Sequence, residues 1–120
     1  MNSDSRACIA YLAGRVITGK TASSVFDHSK SKHKLIGGTA DANKINIYDY
    51  DRSCFVTGSL IQGRGNLFDY GTNSHISMNI KNLRFDGFDY ASGKHFNGQV
   101  TGQTVQIFDY QFSNYFSYNV

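Results

Sequence analysis

A four-residue phrase returns five times along this chain: Val25-Phe26-Asp27-His28, Ile47-Tyr48-Asp49-Tyr50, Leu67-Phe68-Asp69-Tyr70, Gly87-Phe88-Asp89-Tyr90 and Ile107-Phe108-Asp109-Tyr110. The aromatic residue before each Asp falls at 26, 48, 68, 88 and 108, giving steps of 22, 20, 20 and 20 residues. A fixed period of this length marks a repeat architecture, in which each unit is a supersecondary element that buries its apolar face against its neighbours.

A second phrase alternates with the first: a large residue, an apolar residue, a spacer, usually Gly, a second spacer and an aliphatic residue. It reads Tyr11-Leu12-Ala13-Gly14-Arg15-Val16, Leu35-Ile36-Gly37-Gly38-Thr39-Ala40, Phe55-Val56-Thr57-Gly58-Ser59-Leu60, His75-Ile76-Ser77-Met78-Asn79-Ile80, His95-Phe96-Asn97-Gly98-Gln99-Val100 and Tyr115-Phe116-Ser117-Tyr118-Asn119-Val120. Both phrases alternate apolar with polar at period two, the pattern of a strand. The segments between them are rich in turn formers, such as Gly71-Thr72-Asn73-Ser74 and Ala91-Ser92-Gly93-Lys94. Composition agrees: Gly, Ser, Asn, Phe and Tyr dominate, and Pro, Trp and Glu are absent.

These features predict an all-β protein of about 11 short strands, built from a 20-residue two-strand repeat. Residues 1–10 form an N-terminal extension and 11–120 a single β-repeat domain, with less than about a tenth of the chain in helix. The segment Ser29-Lys30-Ser31-Lys32-His33-Lys34 reads as an enlarged basic turn.

Two arrangements fit the repeat, an antiparallel meander curled into a barrel or open curved sheet, and a parallel β-solenoid. In a solenoid the five Asp would stack about 4.8 Å apart and each neighbouring pair would repel by about 3.5 kcal/mol. The intervening strand of a meander doubles that spacing, and the meander is the arrangement expected. Hairpin pairing then places Val100 opposite Val105 and Gly98 opposite Ile107. Across the other turns it places Tyr90 opposite His95, Tyr110 opposite Tyr115 and Tyr50 opposite Phe55. One face becomes aliphatic and the other aromatic. The strand-centre glycines Gly14, Gly38, Gly58 and Gly98 mark where the sheet bends over its aliphatic face. The unit resembles the hairpin repeat called MORN in its aromatic-x-Gly opening, as in Phe96-Asn97-Gly98, but it is shorter and lacks that family's acidic-Trp pair. The resemblance implies hairpin architecture and carries no function.

Identical residues at equal intervals are the wrong symmetry for catalysis, which needs different groups converging on one point. A non-catalytic protein is therefore expected, with no cofactor. Cys8, Cys54, His28 and His33 lie at no zinc-site spacing, so no metal site is assigned, and His75 and His95 occupy slots that Phe55 and Tyr115 fill elsewhere. Each repeated Asp is read as accepting backbone N–H groups from its neighbouring turn rather than as a calcium ligand. Cys8 and Cys54 are read as free thiols.

The net charge is only +3, and after Arg52 there are four basic and four acidic residues, so nucleic acid is not expected as a partner. Residues 7–13 are too short and too weakly apolar for a membrane span, and Asp4 and Arg6 make a poor signal peptide, which points to the cytoplasm.

The unusual feature that remains is the Tyr/Phe/His face, with Tyr48, Tyr50, Phe68, Tyr70, His75, Phe88, Tyr90, His95, Phe108, Tyr110 and Tyr115 as candidate binding residues. The function expected is an interaction or assembly module that pairs this face with a protein partner or a second copy. The alternatives are a carbohydrate-binding module and a carrier barrel for a small apolar ligand.

Overall fold

The computed structural model describes residues 1–120. It contains one helix, α1 (Ser3–Thr18), followed by ten strands: β1 (Ser24–Asp27), β2 (Lys32–Ala40), β3 (Lys44–Asp49), β4 (Cys54–Ser59), β5 (Arg64–Asp69), β6 (Ser74–Lys81), β7 (Arg84–Asp89), β8 (Lys94–Thr101), β9 (Thr104–Asp109) and β10 (Asn114–Asn119). Consecutive strands pair antiparallel, and β1 also pairs antiparallel with β10, so the meander closes into a barrel. Closure leaves the sheet without long free edges.

Residues 11–16, expected as the first strand, are helical, and the second phrase therefore has five structural copies and the barrel ten strands. The first ten residues do not hang outside the domain, because α1 lies within the barrel. With 16 of 120 residues the helix also exceeds the tenth of the chain expected. Local chemistry explains the helix. Asn2 caps its N-terminus by accepting from Ser5 N–H at 2.7 Å, Asp4 sits in its first turn, and Gly19 ends it at φ 71° with its N–H bonded to the Arg15 carbonyl. Every residue from Ser5 to Arg15 is buried. A helix buried all round, with Arg6 and Arg15 hydrogen-bonded inside the barrel, shows no one-sided apolar stripe, which is why the short run Tyr11 to Val16 matches the strand phrase. Gly14 accordingly does not bend a strand. It lets α1 approach β9 and Val120, the residue after β10, since a Cβ there would lie 3.0 Å from Val120 Cβ and 3.3 Å from Val105 Cγ2.

The aliphatic residues of the strands, among them Ile36, Ile45, Ile47, Val56, Leu67, Ile76, Val105 and Ile107, point inward and meet Ile9, Tyr11 and Leu12 of the helix in one core. Val100 pairs with Val105 and Gly98 with Ile107 as the sequence predicts. Across the Asp-bearing turns the register differs from the expectation. Tyr48 rather than Tyr50 stands opposite Phe55, Phe88 rather than Tyr90 opposite His95, and Phe108 rather than Tyr110 opposite Tyr115.

The Asp residues set that register. Each ends its strand and its Oδ1 accepts the N–H two residues on, from Ser29, Asp51, Gly71, Ala91 and Gln111 at 2.8–3.4 Å, so the turn begins immediately after it. The fourth turn residue then takes positive φ in all five copies: Ser31, Ser53, Asn73, Gly93 and Ser113.

The segment Ser29–Lys34 is not enlarged, because Asp27 pairs with Lys32 across the same span as Asp49 with Cys54. The 22-residue step arises in the β2–β3 hairpin, where pairing stops at Ala40 and Ile45, whereas β6 and β7 pair as far as Lys81 and Arg84. Nor is Lys34 a solvated loop residue, since it sits in β2 and is buried. No helix is long and apolar enough to cross a membrane.

Candidate binding face

Alternation along each strand sends the residue after an inward aliphatic to the outside, and there the aromatics form five triads. In each, the strand aromatic is half-buried at the centre, the first turn residue packs on it from one side and the cross-strand partner from the other. The triads are His28-Phe26-His33, Tyr50-Tyr48-Phe55, Tyr70-Phe68-His75, Tyr90-Phe88-His95 and Tyr110-Phe108-Tyr115. All ten contacts are edge-to-face, with centroids 4.7–5.0 Å apart and interplanar angles of 68–78°. This is the arrangement ring quadrupoles favour. The outer rings are open to water: Tyr50, Tyr70, Tyr90 and Tyr110 are 48–59 % exposed and Tyr115 61 %.

All eleven residues singled out from the sequence lie on this outer girdle. Phe26, His28, His33 and Phe55 complete it. The first three escape a sequence reading that assigns His28 and His33 to a basic loop, although Phe26-Asp27-His28 already carries the aromatic-Asp-aromatic phrase.

Between the fourth and fifth triads lies a shallow groove of about 760 Å³, walled by Phe88, His95 and Tyr110 and floored by Asp86 and Asn97, with Lys94 at its edge. Asp86 and Asn97 are register partners on β7 and β8. Asn97 Nδ2 donates to Tyr110 Oη at 3.1 Å and so ties the wall of one triad to the floor of the next.

Behind the girdle, at the mouth of the barrel where α1 begins, the five Asp carboxylates point inward. Arg6 donates to Asp109 Oδ2 at 3.0 Å and through Nε to Tyr118 Oη at 3.0 Å, and its guanidinium lies 3.5 Å from the Phe116 ring centroid. Ser5 Oγ donates to Asp69 Oδ2 at 2.5 Å, and Arg52 bridges Asp49 at 2.6 Å and Asp69 at 3.0 Å. Lys34 Nζ reaches Asp4, Asp49 and Asp51 at 2.7, 2.9 and 3.2 Å. The Met1 amino group lies 3.2 Å from Asp109.

Burial alone would raise Asp49, yet hydrogen bonds and charge from Lys34 and Arg52 hold it below the ordinary carboxylate value. Burial would likewise lower Lys34, but Asp4, Asp49 and Asp51 hold it above the usual ammonium value. Both cysteines are free. Burial, reinforced by Asp49, pushes the Cys8 thiol well above its usual range, and burial also raises Cys54. The network fixes the ends of the strands from which the aromatic turns project.

No protein-family model matches the chain, and neither the curated proteins nor the solved structures include a match to it.

Proposed function

We propose that the chain is a non-catalytic β-repeat binding module that engages its partner through the outside of its barrel. The observation that carries this reading is the burial contrast along each repeat. Leu67 and Ile107 are fully buried, while Tyr70 and Tyr110, three residues further on, are about half exposed. Rings held in fixed edge-to-face pairs at the surface offer large contact area with little rotamer freedom left to lose on binding. Helix α1 occupies the space in which a carrier barrel would hold its ligand, so the outer face is the surface available.

The test compares the wild type with the combined Tyr70→Ser, Tyr90→Ser, Tyr110→Ser variant. Light scattering over a concentration series measures self-association, and titration with oligosaccharides measures ligand binding. The expected result is at least one of these activities in the wild type and its loss in a folded variant. A wild type that shows neither, or a variant that keeps what the wild type shows, overturns the reading.

A further inference from the structure

We infer that the groove between the fourth and fifth triads is a subsite for a neutral saccharide; this deepens the binding-module reading above and rests on it. A sugar ring has an apolar C–H face and a rim of hydroxyls that both donate and accept. Its recognition needs a flat ring to stack on and, beside it, planar polar side chains with free donors or acceptors. The groove presents both within one wall-to-floor distance. Tyr110 and His95 are exposed rings, and Asp86 and Asn97 lie paired on the floor between them. The Asp86 carboxylate makes no salt bridge and no side-chain hydrogen bond within the chain, so both its oxygens are available to hydroxyl donors. The Asn97 amide carries its own acceptor oxygen beside the Nδ2 that holds Tyr110 in place.

Three features favour a saccharide over another occupant. A second sheet or a second copy would need a broad continuous apolar face, but the rings are divided into triads around a convex body measuring 31 × 29 × 29 Å. A polar pair lies beside each of the last four triads on the same two strands: Asn46 with Thr57, Asn66 with Ser77, Asp86 with Asn97 and Gln106 with Ser117. Nucleic acid would meet the Asp86 carboxylate with a single lysine, Lys94, to oppose it, which is too little positive charge for a phosphate backbone. Lys94 and Asp86 balance each other, and a neutral ligand follows. Asp86-Asn97 is also the pair in which an acid and an amide face each other, whereas Asn46-Thr57, Asn66-Ser77 and Gln106-Ser117 each pair an amide with a hydroxyl.

The test is a titration of isotopically labelled full-length protein with neutral β- and α-linked glucose and N-acetylglucosamine tetramers, followed by amide chemical shifts. A shallow site of one stacked ring and a few hydrogen bonds should give a dissociation constant on the order of 1 mM. Shifts should centre on Asp86, His95, Asn97 and Tyr110. Tyr110→Ser should weaken binding about tenfold or more, as loss of a stacking ring does. Asp86→Ala, which leaves every ring in place, should also weaken it severalfold with no change in melting temperature.

Saturable shifts at the groove that both variants weaken support the assignment. Absence of shifts with all tetramers, or shifts centred elsewhere, overturns it. Self-association through the girdle without saccharide binding overturns this subsite while leaving the binding-module reading intact. Loss of both overturns the two together.

Discussion

Gly87 on β7 faces Phe96 on β8, and the Phe96 ring fills the space that a side chain at 87 would need: a Cβ there would lie 2.5 Å from Phe96 Cζ and 2.0 Å from the Ser77 carbonyl oxygen. One rung away the roles reverse. Phe85 faces Gly98, where a Cβ would meet Phe85 Cζ and the Gln106 carbonyl oxygen, both at 2.4 Å. The two pairs form a complementary lock in which a large ring covers a glycine from the opposite strand, so the sheet can curve tightly over its core. Gly98→Val should therefore cost about 2–3 kcal/mol by overpacking against backbone that cannot retreat. Ser59→Val, at an exposed position, should stay within about 0.5 kcal/mol of the wild type. Urea unfolding of the two variants decides it, and equal midpoints would remove the lock from the account.

The ion pair between Lys34 and Asp49 makes stability depend on pH in two directions. Asp49 is held below its ordinary 3.8, so its contribution is complete above that value and is lost as pH falls through the lower folded value. Lys34 is held above its ordinary 10.5, so its contribution is complete below that value and lost as pH rises through the higher folded one. Tyr118, pushed up to about 12 by burial, adds a second alkaline loss that begins near pH 10, where the unfolded chain ionises first. The expected profile of unfolding free energy is a plateau from about pH 5 to pH 9 with a fall on each side. Lys34→Met, which leaves the Asp49 charge buried beside Arg52 alone, should cost about 3 kcal/mol at neutral pH and should flatten the acid limb. An unchanged acid limb in this variant would show that other carboxylates dominate it.

Ser31, Ser53 and Ser113 occupy the left-handed turn position that Gly93 fills in the fourth unit. A side chain in that region is strained, and glycine relieves the strain at some cost in backbone entropy. Ser113→Gly should raise stability by about 0.5–1 kcal/mol, and Ser92→Gly, one residue before the left-handed position in its own turn, should lower it or leave it unchanged. Thermal melts of the single variants measure both signs.

The repeat makes most of this fold readable from sequence because the period, the alternation and the turn residues agree. The inward aliphatics, the outward aromatics and the Asp-to-turn hydrogen bonds all follow from it. The helix does not, since a segment buried on every side inside a barrel, with Arg6 and Arg15 turned to interior partners, has neither a solvent-facing polar stripe nor the two-residue alternation to betray it. Its capping residues Asn2 and Gly19 are the available signal, and neither is distinctive in a chain so rich in Asn and Gly. The turn register is missed for a related reason. Tyr50 and Tyr48 lie on the same face, so pairing either one with Phe55 preserves the pattern, and only the Asx hydrogen bond at Asp49 chooses between them. The groove depends on side chains from adjacent repeats, Asn97 and Tyr110, whose contact is set by the β8–β9 register and the turn after Asp109 rather than by either repeated phrase.

The last prediction separates the two faces of the sheet. Leu67 and Ile107 are fully buried in the core, and replacing both by Ser removes two core side chains while placing hydroxyls where no water reaches. Each truncation should cost about 2–5 kcal/mol, so the pair costs about 4–10 kcal/mol, comparable to the whole stability of about 5–15 kcal/mol of an ordinary domain. Tyr70, Tyr90 and Tyr110 each lose one edge-to-face partner on conversion to Ser, and at about half exposure the three together should cost about 1–3 kcal/mol. Circular dichroism and denaturant titration should find the tyrosine variant folded with a modestly lower midpoint and the aliphatic variant unfolded or molten. The reverse outcome would mean that the aromatic girdle, and not the interior packed on α1, carries the stability of the barrel, and the girdle would then lose its standing as a surface free to bind.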